Sequence, residues 1–299
     1  MSAQPEPSLL TDHQPDLEGH AAHPKSKRSM SRAQKILFFT TGWLIVLMPF
    51  LFWWNTWFGR HLSDAQLTEY LHDTKKPRHI QQALVQVSER MAKNDGAAKQ
   101  WYPDLTRLAS DPVEEVRNTD AWVMGQDTSA AEFHDALLKM LSDTSPMVRG
   151  NAALSLVRFG DATGRSQIVA LLHPADVMAP ASGKIIDADR PGTAIHQGGL
   201  LAKLQNAQGQ TVEIRSPIPG RSRTIAQPGA NVVVGTEVAI VDPASEQVWE
   251  ALRALYLVGQ VSDLDAVLPY ERELPDISND MRQQAIETEK AIRARAGAN

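Results

Sequence analysis

A stretch near the middle of the chain repeats itself without a gap, 37 residues on. Pro180, Gly183, Pro191, Gly192, Gly198 and Ala202 recur as Pro217, Gly220, Pro228, Gly229, Gly235 and Ala239. Apolar positions keep the same spacing: Ile195 with Val232, Leu201 with Val238, Leu204 with Val241. Self-similarity of this kind predicts a unit built from two equivalent halves. The surrounding composition narrows its class. Residues 174–243 hold 8 of the 18 glycines and 7 of the 18 prolines, and no Phe, Trp or Tyr falls between Phe159 and Trp249. Short β-branched runs such as Thr211-Val-Glu-Ile214 and Asn231-Val-Val-Val234 alternate with turn dipeptides, which predicts a small all-β module. The paired glycines Gly183/Gly220, Gly192/Gly229 and Gly198/Gly235 are expected to be structurally critical, at turns that need a positive or fixed φ.

The flanks read as helix. In 60–173, Phe133, Ala136, Leu137, Met140 and Leu141 share one helical face, and Ser129 with Glu132 has the spacing of a capping box. Ser145-Pro146 reads as a cap followed by proline at the first helical position, and Gly160 as a stop. These helices repeat as well. Leu108-Ala-Ser-Asp111 with Val116-Arg117 returns as Met140-Leu-Ser-Asp143 with Val148-Arg149, 32 residues on. Two helices per unit of this length predict an α-solenoid. After the β module, Asp242-Pro-Ala-Ser-Glu-Gln-Val248 is similar in character to Asp143-Thr-Ser-Pro-Met-Val148. Ala251, Leu252, Leu255 and Tyr256 form a further helical stripe, and residues 244–299 read as returning helices. The economical expectation is one solenoid interrupted by the β module at a loop between repeats.

Asp143 to Asp161 resembles the short HEAT-like repeat found in phycobilisome lyase-type proteins, whose pattern is roughly D-x-x-x-x-V-R-x-x-A-A-x-A-L-x-x-x-G-D. The resemblance implies that Asp111, Arg117, Asp143 and Arg149 are structural, bonding between adjacent repeats. The β module resembles the biotinyl/lipoyl barrel-sandwich hybrid: Met178-Ala-Pro-Ala-Ser-Gly-Lys184 and Ser216-Pro-Ile-Pro-Gly-Arg221 look like the starts of its two halves. Relatives of that module carry a cofactor on a lysine at the hairpin tip, but the matching position here is Gly209, and Lys203 lies in the preceding strand. No cofactor is therefore expected. A similar module occurs in periplasmic membrane fusion proteins, where a long coiled-coil hairpin usually separates the halves; here a six-residue turn, 205–210, does so.

Residues 36–59 contain no charge and would span about 36 Å as a helix, enough for a hydrocarbon core of about 30 Å. Trp53, Trp54, Trp57 and Phe58 lie at one edge, and Lys25, Lys27, Arg28, Arg32 and Lys35 precede the run. The positive-inside rule then predicts a single-pass anchor with its N-terminus in the cytoplasm, and the family resemblances imply a bacterial inner membrane. The chain's domains would be a disordered cytoplasmic tail at 1–34, an anchor at 35–59 in contact with membrane lipid, and periplasmic HEAT-like helices at 60–173. The barrel-sandwich hybrid at 174–243 and the returning helices at 244–299 would follow. The fold class is thus α + β, multidomain.

No chemical constellation emerges. Cysteine is absent, and beyond residue 140 only His173 and His196 remain as histidines, so neither a thiol nor a zinc-hydrolase ligand set is available. No Walker loop or nucleophile elbow occurs. The β module carries six basic and six acidic residues and no aromatic platform, which argues against nucleic acid. Catalytic, metal and small-molecule sites are not expected. The expected role is a non-enzymatic adaptor or scaffold in an envelope complex related to efflux or secretion, its partners being other envelope or membrane protein subunits. The alternative is an accessory subunit of a larger membrane complex such as a respiratory one.

Overall fold

The computed structural model describes residues 31–32, 40–45, 47–48, 61–274 and 277–298. Residues 1–60 and 61–299 form two compact units. In the first, residues 40–45 and 47–48 are helical; the expected tail at 1–34, apart from residues 31–32, and the rest of the anchor expected at 35–59 lie outside the described residues. The expectation of a single-pass inner-membrane protein is corrected here: among the described residues no helix is long and apolar enough to cross a membrane.

The second unit is a two-layer array of helices with a β module set into it. The outer layer holds α1 (Asp64–Leu71), α3 (Tyr102–Leu108), α5 (Ala131–Met140), α7 (Arg165–Ala170) and α9 (Leu264–Val267). The inner layer holds α2 (Pro77–Ala92), α4 (Glu114–Met124), α6 (Pro146–Arg158), α8 (Ser245–Val258) and α10 (Asn279–Ala298). Each outer helix packs on the inner helix that follows it, and the inner helices pack side by side in chain order. Local sequence explains the pieces. α5 buries Phe133, Ala136, Leu137 and Met140 along one stripe. α6 starts at Ser145, whose hydroxyl accepts from the Met147 and Val148 amides, with Pro146 at the first helical position, where its missing N–H costs nothing. Gly160 takes φ 77°, and the Asp161 amide returns to the Leu156 carbonyl, closing that helix. The expected capping box at Ser129 and Glu132 is absent. The cap position is Ala130, and the Ser129 hydroxyl instead donates to Asp127, which offers a nearer charged acceptor.

The β module comprises β1 (Ala175–Met178), β2 (Gly183–Ala188), β3 (Ala194–Ile195), β4 (Leu200–Asn206), β5 (Thr211–Arg215), β6 (Gly220–Ile225), β7 (Asn231–Val232) and β8 (Glu237–Pro243). They form two antiparallel sheets, ordered β1-β8-β6-β3 and β5-β4-β2-β7. The expected barrel is corrected. Among the described residues the strands make two open four-stranded sheets and no closed barrel, because β3 and β7, two residues each, are too short to carry a ladder round into the other sheet.

The 37-residue repeat holds at the level of register. Gly183 pairs with Asn206 and Gly220 with Pro243; Ile185 pairs with Leu204 and Ser222 with Val241. Even the irregularities match, between Ile185 and Asp187 in one half and Ser222 and Thr224 in the other. β7 pairs with β2 and β3 with β6, so each half lends its short strand to the other half's sheet. Both halves close on one apolar cluster that includes Ile185, Leu201, Leu204, Ile225, Val238 and Val241.

The module does not sit between repeats as expected. It lies inside one, in the turn joining α7 to α8, where the preceding pair α5/α6 has only Leu141 to Ser145. Ala175 pairs with Val241, so the chain enters and leaves the module on adjacent strands, and the two helices still pack as a pair. Gln247 donates to the Leu171 carbonyl at 3.0 Å and the Tyr270 hydroxyl to the Leu172 carbonyl at 2.6 Å, fastening the end of α7 from the far side of the insertion. One apolar core runs from Ala153 and Ile168 through Val248 and Leu252 to Ile292.

Candidate protein-docking groove

The inner helices are bolted together by side chains that reach the next helix. Gln81 donates to the Glu115 carbonyl, Asn151 to Asn118 Oδ1 at 2.8 Å, Ser155 to the Ala121 carbonyl at 2.8 Å, and Thr288 to the Leu252 carbonyl at 3.0 Å. Ser155 sits so close to Gly125 that a Cβ there would fall 2.8 Å from its own. Their outer faces line a groove of about 840 Å³ crossing α4, α6, α8 and α10. Its apolar surface comes from Trp122, Leu154, Val157, Ala254, Tyr256 and Leu257. Trp122 is 46 % exposed, Tyr256 43 % and Leu257 60 %, an unusual outlay of large apolar side chains on one face of a folded chain. Arg158, Arg253, Glu250 and Glu287 also line it. Arg253 lies 3.4 Å from Glu250, and Glu287 accepts from Lys290 at 3.0 Å. Arg158 is exposed and has no hydrogen bond or ion pair among the described residues.

The residues singled out in the sequence lie elsewhere. Arg117, on α4, forks onto both carboxylate oxygens of Asp143 at 2.7 and 2.9 Å and also donates to the Asp111 carbonyl, so it joins one helix pair to the next. Burial alone would raise the Asp143 carboxyl. The Arg117 guanidinium and the Ser145 amide outweigh it and hold the group below the ordinary carboxylate range. Asp111 and Asp143 each accept the amide two residues on, Val113 and Ser145, which sets the turn before the inner helix. Arg149 donates to the Asp143 and Thr144 carbonyls of its own turn and to Gln167 Oε1. It finds no aspartate in the next pair, because that turn is where the β module enters. A second cavity, about 650 Å³, opens around the Arg117–Asp143 pair on the outer-helix side.

In the β module Gly192, Gly198, Gly229 and Gly235 sit at φ between 72° and 98°. Gly183 and Gly220 do not, and are needed for another reason. A Cβ at Gly183 would collide with the Gln205 carbonyl oxygen, and one at Gly220 with that of Asp242, the equivalent position 37 residues on.

The two ends of the module differ in chemistry. Gln197 donates to Glu114, which also accepts the Ser145 hydroxyl, so the 196–199 turn rests on the helices; Met147 of α6 packs against the β core. The equivalent turn carries Val233 and Val234, 65 % and 66 % exposed, beside Met178. Reading the sequence missed the groove. Tyr256 belongs by spacing to the helical stripe of Ala251, Leu252 and Leu255, yet it is exposed where they are buried, and Trp122 and Arg158 carry no motif. The available signal was an aromatic or apolar residue recurring outside the buried stripe of successive inner helices.

A model of the HEAT repeat matches residues 135–162, which span most of α5 and all of α6. No curated protein matches the chain. Among solved structures, one described as a single-chain, multi-domain long-chain acyl-CoA carboxylase aligns with 46 % of this chain at 14 % identity and a TM-score of 0.23. The alignment covers 14 % of that protein's length, and a likeness of that size carries no argument.

Proposed function

We propose that this chain is a non-enzymatic protein-interaction scaffold that offers the inner-helix groove to a protein partner. The observation that carries the reading is the line of exposed Trp122, Tyr256 and Leu257, with half-buried Leu154 between them, across successive helices. Large side chains left in water on a rigid concave surface are what stacked helical repeats use to bind. The β module is a second interaction element set on the same frame. Its paired-half plan favours the finer likeness to the β modules of periplasmic membrane fusion proteins, and Gly209 at the hairpin tip favours a binding over a carrier role.

A photo-crosslinking residue placed at Leu257 in the native cell tests this. The reading expects one defined protein to be captured, and Trp122→Ala to abolish its capture. Purified full-length protein that turns over a substrate and captures nothing at the groove would overturn it.

A further inference from the structure

We infer that the occupant of this groove is an amphipathic helix of a protein partner, its apolar stripe on Trp122, Leu154, Tyr256 and Leu257 and a carboxylate of its flank against Arg158. This rests on the scaffold reading and narrows it to one kind of ligand. Three observations support it.

The first is backbone chemistry. An extended peptide would need its own N–H and C=O groups satisfied by the surface it lies on. The groove wall is helical, with its backbone already bonded. The polar side chains of its floor that could grip a strand are already spent: Asn151 on Asn118 and Ser155 on the Ala121 carbonyl, both across to the neighbouring helix, and Gln284 on Thr288 of its own helix. A helix arrives with its backbone satisfied and needs only an apolar face.

The second is charge. Of the four charged residues lining the groove, Arg253 lies against Glu250 and Glu287 accepts from Lys290, whereas Arg158 is unpaired among the described residues. The unmet charge is positive, and a guanidinium matches a carboxylate in two hydrogen bonds.

The third is size. Trp122, Leu154 and the Tyr256/Leu257 pair sit on three successive inner helices, α4, α6 and α8; packed about 10 Å apart, these place the outer two axes about 20 Å from each other, the length of a helix of roughly 14 residues.

Selection of displayed random 14-residue peptides against the full chain tests this. The enriched sequences should place apolar residues at i, i+3 or i+4 and i+7, flanked by Asp or Glu, and lose binding to Trp122→Ala. For a synthetic winner followed by fluorescence anisotropy, replacing its carboxylate by lysine should weaken binding tenfold or more. Arg158→Glu, on an exposed face in the last turn of α6, should lower the melting temperature only slightly through the helix dipole and should then prefer the lysine peptide. A proline at the centre of the peptide should abolish binding. Winners that tolerate the proline and still need Trp122 would overturn the helix while leaving the groove as the docking face. Indifference to Arg158→Glu would overturn the charge assignment. Failure to enrich any peptide that depends on Trp122 would overturn both the helix and the scaffold reading.

Discussion

Asp120 is fully buried on α4, and neither of its carboxylate oxygens has a hydrogen-bond partner among the described residues. Burial pushes its pKa well above the ordinary value, against the pull of nearby Arg107. With the folded-state pKa raised, the unfolded chain releases its proton near pH 4 while the folded chain keeps it. Stability therefore falls as pH rises above that value. The next repeat places Ala152 at the matching position, 32 residues on. Asp120→Ala should accordingly stabilise the protein by about 1–3 kcal/mol at neutral pH, with the gain shrinking toward pH 4 in chemical-denaturation titrations. The β-module glycines should behave in the opposite sense and in two grades. Gly183→Ala and Gly220→Ala force strand backbones apart and should each cost about 1–3 kcal/mol. Gly192→Ala and Gly229→Ala strain only a turn and should cost nearer 1 kcal/mol. Thermal melts that rank the two pairs in reverse would contradict the close-approach explanation. At this scale the glycines could be found in the sequence because a positive φ or a close backbone approach favours glycine at each of the paired positions. Asp120 could not, because a charged residue among polar neighbours on a helix reads as surface.

Between elements, the Arg117–Asp143 bridge is the contact to perturb. Both side chains are nearly buried, at 13 % and 10 % exposure, and removing one partner strands the other. Arg117→Ala should cost roughly 3 kcal/mol. Because the Asp143 pKa is depressed, the stability from this bridge is complete above the ordinary carboxylate pKa near 4 and fades as pH falls through the folded value. The mutational penalty measured by urea unfolding should therefore narrow below about pH 4; a penalty that stays constant with pH would show that the carboxylate is not the partner that matters. The helix pairs were legible because the Asp–Arg spacing and the apolar stripe of α5 repeat 32 residues apart. The place of the insertion was not. Nothing local to Leu172 or Asp242 records that α7 and α8 meet again across the β module, and only the return contacts of Gln247 and Tyr270 reveal it. Nor does the apolar run at 36–59 become a described membrane-crossing helix.

Over residues 61–298, a repeat array keeps its packing around an inserted two-fold module and leaves in water the groove and the Met178/Val233/Val234 corner. Why those surfaces escaped a reading of the sequence is physical: periodicity marks which residues share a face, not whether another element covers it. Tyr256 follows the same helical spacing as buried Leu252 and Leu255. The central claim is that partners dock on the groove. The most direct measurement is the dissociation constant of the captured partner protein for Trp122→Ala and Leu257→Ala, set beside Val233→Ser and Val234→Ser in the β corner. The account predicts a loss of about tenfold or more for each groove variant, equivalent to about 1.4 kcal/mol, and no more than about twofold for the corner variants. Strong losses at Val233 and Val234 with an indifferent groove would contradict it and move the docking face to the β module.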